Sequence, residues 1–455
     1  MSIRRWWALF IALAVLLPSF GLTQDSPFSR KTPPKEPKEQ PAKSDSSAAE
    51  PASNEPAKPA LEAEARSEIS KIAREYFKAK SDAKPALLAK VVQLENGKEV
   101  SKADIEKFKR DFLALAKEGP RHSGGASGRT KFGHPDYPGE YILGGSGNML
   151  FVGLHGGGKG VGDAGQIAGL FGGMPGAVNV FPTVIQKDDS AWNTEREEQY
   201  VLELIEAMKR SFQIDTNRIY LAGHSMGGYG TWSIGGRHAD LFAAISPQAG
   251  GVFTFSNGQG QQNGKVEIMR GIVENLKATP IYFYHGADDP RVGPAPDRRA
   301  AEKLEEYKKQ FGPYDYTYKE YPNIGHGLPP DGVAPIWNWM KGKTRNPYPK
   351  YVIWEPTRSY KRNFFWLRLE SPGSGARVEA KIESGNKIVL SGNFSGLDLY
   401  LNEKMGISLG REIIVERDGK EVFKGRVGHS VAALLDSIDA KKDEQMYFYA
   451  RIRVP

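Results

Sequence analysis

The chain of 455 residues contains no cysteine. Disulfides, thiolate zinc sites, iron–sulfur clusters, a cysteine nucleophile and a lipidated N-terminal cysteine are therefore excluded. Histidine is scarce too. The eight histidines are scattered and form no H-x-x-x-H or H-E-x-x-H pair, so the zinc-hydrolase signature is missing. No metal and no cofactor is expected. The 51 glycines and 30 prolines follow no G-X-Y period, which excludes collagen. The formal charge of +8 is diffuse. It reads as a solvated surface, and no nucleic-acid partner is expected.

What is present begins with a targeting layout. Arg4 and Arg5 precede an uncharged, mostly apolar run over residues 6–20. Ser19 and Gly21 stand at the −3 and −1 positions of a signal-peptidase cut after Gly21. Residues 1–24 are read as an export signal, which predicts a periplasmic, cell-surface or extracellular protein. An uncleaved anchor is the rival, but Pro18, Ser19, Thr23 and Gln24 suit a hydrocarbon core poorly. Residues 25–61 are almost purely Pro, Ala, Lys, Glu and Ser, the composition of a disordered spacer.

Residues 62–120 change character. Ile69, Ile72, Ala73 and Tyr76 have helical spacing, a second helix is expected over 85–94, and a third starts at Ser101 with Asp104 three residues on. This helical region is expected to pack on the larger domain that follows. Over residues 121–345, short apolar runs such as MLFVGL, AVNVFP, RIYLAG and PIYFYHG alternate with amphipathic stretches at 195–212 and 298–311. That alternation predicts an α/β fold with a mostly parallel sheet covered on both faces. Residues 346–455 read as a small β-rich accessory domain. It has a hairpin at Asp418-Gly419 and one short helix over 431–438.

The chemistry concentrates in three loops. Gly223-His224-Ser225-Met226-Gly227 is G-x-S-x-G between a strand and a helix, a nucleophile elbow that lifts Ser225 above the sheet. A serine needs a base, and the base needs an orienting acid. His326 follows a later strand in a glycine-rich loop and is placed to act as the base. Asp288 and Asp289, at the end of the strand PIYFYHG, are the two candidates for the acid. His155-Gly156-Gly157-Gly158 follows the strand MLFVGL. The amides of Gly156 and Gly157, with that of Met226, are candidates for an oxyanion hole. Two other patterns overlap this loop. Residues 153–159 fit a P-loop until its eighth position, where Gly160 replaces the required Ser or Thr. Residues 160–165 spell G-x-G-x-x-G but do not follow their strand at once. The hydrolase reading explains all three loops together, whereas each nucleotide reading explains one.

LHGGG, GHSMGGYGTW, HGADDPRV and GHG, in this order, resemble the α/β-hydrolase superfamily over about residues 140–343. The similar branch includes feruloyl and acetylxylan esterases, polyhydroxybutyrate depolymerases, phospholipase/carboxylesterase-like proteins and peptidases of prolyl-oligopeptidase type. Secreted relatives often carry disulfides near the site, and this chain has none. The acid of that branch lies in H-G-x-x-D-x-x-V, so the resemblance implies Asp289 as orienter, Ser225 as nucleophile and His326 as base. It implies an α/β-hydrolase sheet domain flanked by the helical and β-rich segments.

The expected activity is ester hydrolysis through an acyl-enzyme on a small-molecule or polymer ester. The alternatives are a peptidase with the same machinery and a non-catalytic surface-binding protein on a hydrolase scaffold. Trp192, Phe253 and Phe255 are candidates for a substrate pocket, and the loop over 251–262 reads equally as a surface loop. In the accessory domain, Trp354, Phe364, Phe365 and Trp366 are expected to face its own core. Lys350, Arg358, Lys361, Arg362 and Arg368 predict at most weak, salt-sensitive contact with an anionic polymer or surface.

Overall fold

The structure, a computed structural model, describes residues 58–157, 161–187, 191–252, 261–262, 265–373 and 375–455. The expected signal and the spacer up to residue 57 lie outside the described residues.

The apolar runs of the middle segment become strands because each is short, rich in β-branched and aromatic residues, and bounded by turn residues. They are β1 (Gly128–Lys131), β2 (Glu140–Gly145), β3 (Met149–Leu154), β4 (Ala177–Thr183), β5 (Ile219–His224), β6 (Ala244–Gln248), β7 (Ile281–Gly286) and β8 (Tyr316–Tyr321). Among the described residues they form one sheet in the order β1-β2-β4-β3-β5-β6-β7-β8. From β4 to β8 neighbouring strands are parallel, while β1 and β2 are antiparallel additions at one edge. This order, with helices in the crossovers, is the α/β-hydrolase fold. Every residue of β3 through β7 is buried, as a sheet covered on both faces requires.

The helices follow local chemistry. α1 (Ala63–Lys78) and α2 (Lys84–Glu95) precede α3 (Lys102–Ala116), which Ser101 and Asp104 start with a reciprocal capping box. α4 (Ala164–Phe171) grows out of the G-x-G-x-x-G segment. There Asp163 accepts a hydrogen bond from the Gln166 amide and caps the helix, with Gly162 at φ 87° just before it and Gly165 in its first turn. α5 (Glu195–Ser211) has Thr194 as its cap, acids in its first turn and Lys209 and Arg210 in its last, an order that complements the helix dipole. α6 (Met226–Arg237) is buried along its whole length. α7 (Ala295–Phe311) begins three residues before the expected start, because Pro296 fits a first helical turn. α8 (Ala334–Lys341) closes this segment.

Beyond it lie β9 (Tyr351–Trp354), β10 (Asn363–Phe364), β11 (Leu367–Leu369), β12 (Val378–Glu383), β13 (Lys387–Ser391), β14 (Leu397–Leu401), β15 (Ile413–Arg417), β16 (Lys420–Gly425), α9 (Val431–Lys441) and β17 (Ala450–Val454). They make two sheets, β9-β12-β13-β15-β16 and β10-β11-β14-β17. Asp418 and Gly419 both have positive φ in the turn between β15 and β16. Trp354, Phe364, Phe365 and Trp366 are all enclosed, with Trp354 stacked on Phe364 at 5.6 Å, so they build a core.

One expectation changes. The N-terminal helices pack on α9, not chiefly on the large sheet. α9 is buried on nearly every side and needs cover beyond its own sheets. Tyr76 donates to Asp436, Lys84 pairs with Asp439 at 2.7 Å, and Glu95 accepts from the Val431 and Ala432 amides, capping α9 from outside. Three of the basic residues for which at most weak contact with a polymer is expected are paired within the chain. Arg358 binds Glu198, Lys361 binds Asp240 and Arg368 binds Asp436.

Candidate active site

β5 delivers the chain to Ser225 and α6 carries it away, with no residue between. Ser225 takes φ 60° and ψ −121°, a conformation that costs roughly 1–3 kcal/mol and persists only where its surroundings enforce it. The enforcement is visible in the packing. A Cβ on Gly227 would stand 2.0 Å from the Leu154 carbonyl oxygen, so only glycine lets α6 approach β3 this closely. A Cβ on Gly156 would stand 3.0 Å from both Ser225 Cβ and the His224 oxygen. The loop after β3 therefore lies directly against the serine. The Ser225 amide donates to the Gln248 carbonyl at 2.9 Å, tying the elbow to the end of β6.

The Ser225 hydroxyl lies 2.8 Å from His326 Nε2, and His326 Nδ1 lies 2.6 Å from Asp289 Oδ2. With Nδ1–H donating to the carboxylate, Nε2 is left to accept the serine proton. Asp289 Oδ1 accepts from the Arg291 and Val292 amides at 2.8 and 3.0 Å. Burial works to raise the Asp289 carboxyl, but those amides and the His326 ring outweigh it and hold it below its ordinary range. Asp288, the other candidate, does not meet His326. Its carboxylate accepts from the Gly325 amide at 3.2 Å and steadies the loop that carries the histidine.

The loop proposed to stabilise an oxyanion is built from buried groups. The Trp192 indole donates to the His155 carbonyl at 3.0 Å. His155 Nδ1–H donates to the Gly156 oxygen at 2.8 Å, and Nε2 accepts from the Val184 amide at 3.2 Å. Burial pushes His155 below its usual value, so it stays neutral and keeps that tautomer. Gly157 sits at φ 75°. Met226 is the first residue of α6, where an amide has no intrahelical partner. Trp192 is fully buried against His155 and Gly230, so it braces this loop and does not line open space. Phe253 and Phe255 lie outside the described residues. No group of three or more His, Asp and Glu is arranged to hold a metal ion among the described residues.

Sequence reasoning missed two histidines. The His224 ring is 5.0 Å from that of His326, and burial pushes it down to about 4. It is uncharged at neutral pH and puts no positive charge beside His326. His285, at the end of β7, lies beneath Asp289 in contact with Asp297. Its signal was the histidine of H-G-x-x-D; nothing in the spacing pointed to Asp297.

The fold and this serine–histidine–carboxylate arrangement define an α/β-hydrolase. Residues 191–257 match the Prolyl oligopeptidase family. A bifunctional acetylxylan esterase/xylanase of Neocallimastix patriciarum is 32% identical over 103 residues, which is 22% of this chain. The match spans 13% of that relative's length. Among solved structures, a thermostable esterase is 25% identical with a TM-score of 0.37, over 48% of this chain and 64% of that one. A phospholipase/carboxylesterase of Dyadobacter fermentans is 20% identical with a TM-score of 0.33, over 44% of this chain and 95% of that one. The two sequence matches support an α/β-hydrolase of esterase- or peptidase-like type. Among the described residues, no helix is long and apolar enough to cross a membrane.

Proposed function

We propose that the chain is an exported serine hydrolase that cleaves a carboxylic ester through an acyl-enzyme. The observation that carries this reading is the hydrogen-bonded series Ser225–His326–Asp289 at a strained strand-to-helix turn. Ser225 Oγ attacks the ester carbonyl carbon while His326 Nε2 takes its proton. Asp289 stabilises the imidazolium that forms. The carbonyl oxygen, now negative, is received by the amides of Met226 and of Gly156 or Gly157, and each such donor is worth roughly 3–4 kcal/mol in the transition state. The tetrahedral intermediate collapses, His326 gives its proton to the leaving alcohol, and the acyl group stays on Ser225. Water repeats the two proton transfers and frees the acid. Export rests on the N-terminal layout around Arg4, Arg5 and Gly21.

The family match over 191–257 favours a second reading, a peptidase using the same residues on an amide. A panel of acetyl, feruloyl and acetyl-sugar esters against prolyl anilides separates the two. The ester reading expects turnover on at least one ester, at most trace turnover on the anilides, and loss of both in Ser225→Ala. Turnover confined to anilides favours the peptidase. No turnover together with no reaction of Ser225 with a fluorophosphonate favours a binding protein on this scaffold.

A further inference from the structure

His285 is enclosed, and neither of its ring nitrogens faces solvent. Nε2 lies 2.8 Å from the Val292 carbonyl oxygen, which can only accept, so Nε2 carries a proton in every charge state of the ring. The same Nε2 lies 3.4 Å from Asp289 Oδ2, the oxygen that receives the His326 N–H. On the other side, Nδ1 lies 2.8 Å from Asp297 Oδ2. Asp297 is itself fully buried on α7, and its Oδ1 accepts from the Trp232 indole at 3.0 Å. Trp232 belongs to α6, the helix that Ser225 opens. One buried chain of contacts thus runs from the nucleophile's helix through Trp232, Asp297 and His285 to Asp289.

The surroundings leave these partners in command. His224 approaches from β5 and is neutral. Tyr229 on α6 and Tyr318 on β8 are pushed up by burial and stay neutral. Glu320 on β8 is tied to Arg298 at 2.6 Å. Among the described residues, Asp289 and Asp297 are the carboxylates set directly against the ring. Burial disfavours charge on His285, but its bond to Asp297 outweighs that and holds the ring above its usual value.

We propose that His285 is a positioning residue for Asp289: with its Nε2–H held by the Val292 carbonyl, the edge of its ring packs 3.4 Å from Asp289 Oδ2, buttresses that carboxylate and limits its basicity, and Asp297 and Trp232 lock the ring to the helix of Ser225. The inference rests on the reading of Ser225, His326 and Asp289 given above. A carboxylate relieved of this neighbour holds the imidazolium form of His326 more tightly. His326 must be neutral to act as a base, so the acid limb of activity then moves to higher pH.

The test is the second-order rate of fluorophosphonate labelling of the full chain as a function of pH, with far-UV circular dichroism as the fold check. In His285→Phe the plateau rate is expected to fall about tenfold to a hundredfold through misplacement of the base. Its acid-limb midpoint should rise by about half a pH unit or more. His285→Gln, which keeps an N–H near the same place, should recover most of the plateau rate. An unmoved midpoint in folded His285→Phe overturns the proposal, as does equal loss of rate in both variants. If His285→Phe does not fold, nitrogen NMR of the wild-type imidazoles decides: Nε2 of His285 should stay protonated from about pH 5 to about pH 9, and an unprotonated Nε2 in that range overturns the proposal. Labelling that survives Ser225→Ala overturns the site reading itself, and this inference with it.

Discussion

Arg345 and Asp443 form an ion pair of 2.6 Å with both side chains closed off from solvent. It joins the segment leaving α8 to the loop after α9. Around it, Asp240 takes Lys361 at 2.7 Å and Lys441 at 2.9 Å, and Glu198 takes Arg237 and His238 at 2.9 and 2.8 Å. The large sheet and the C-terminal segment are thus held together by buried charges in which each carboxylate has its cation. Removing one member leaves the other uncompensated. Asp443→Asn should cost about 3–5 kcal/mol in urea unfolding. Lys71→Ala, which breaks an exposed pair with Glu68, should stay within about 0.5 kcal/mol.

The same carboxylates set the acid limit. Burial works to raise Glu198, Asp240 and Asp443, but the His238 bond with Arg237 at Glu198, the two lysines at Asp240 and Arg345 at Asp443 outweigh it and hold all three below the ordinary range. A depressed carboxylate contributes its full stability above its unfolded value and loses it as pH falls through its folded value. Melting temperature should therefore fall steeply below about pH 4. Between about pH 7 and about pH 5 the slope should be shallow, because the shifted groups oppose: His155, His224 and His238, held down by burial, weaken the fold on acidification, while His285, Glu95, Glu274 and Asp297, shifted up, strengthen it. Glu198→Gln should lower the neutral-pH value and flatten the acid slope. A melting temperature that rises on acidification below pH 4 contradicts this account.

The acid has a sharp test. Asp289→Asn should leave the fold intact and cut turnover about ten-thousandfold, because the imidazole then takes the wrong tautomer. Asp288→Asn should cost less than about tenfold, since an asparagine oxygen still accepts the Gly325 amide. Steady-state kinetics on any turned-over ester decides it, and the reverse order refutes the assignment.

Close approach at the elbow predicts a contrast between two glycines. Gly227→Ala drives a methyl group into the Leu154 carbonyl and should destabilise the chain by about 3 kcal/mol or more and abolish labelling. Gly169→Ala, in α4 with nothing within 4 Å of the new Cβ, should stabilise by about 0.5–1 kcal/mol. Thermal melts with probe labelling check both.

The N-terminal helices give a further contrast. A chain starting near Pro120 should keep Ser225 reactive, because among the described residues the groups bonded to Ser225, His326 and Asp289 come from later in the chain. It should melt several degrees lower, since α9 loses its cover and the cap from Glu95. A folded truncation that labels poorly would give the helices a part in the site.

The elbow and His326 were legible because their signals are local: a strand, a glycine-bounded turn and a helix read in order. The capping box at Ser101 and the Asp418-Gly419 hairpin were legible for the same reason. α4 was not, because it is short and its first turn is glycine-rich, which reads as loop. The seat of the N-terminal helices on α9 joins residues some 360 positions apart, as in the bond from Tyr76 to Asp436, and no periodicity reports that. Trp192 was left ambiguous, because an aromatic residue after a strand looks alike whether it lines a pocket or braces a loop, and here it is buried with its indole on the His155 carbonyl. The link from Asp289 to Trp232 depends on four segments meeting, and only the closed fold brings them together.

The central claim is that Ser225 carries the acyl group. Wild-type protein mixed with an activated short-chain ester, quenched in acid and mapped by peptide mass spectrometry should carry the acyl group on Ser225, and Ser225→Ala should lose turnover. Hydrolysis that continues at the wild-type rate in Ser225→Ala, with no acyl group found on Ser225 of the wild type, contradicts the account.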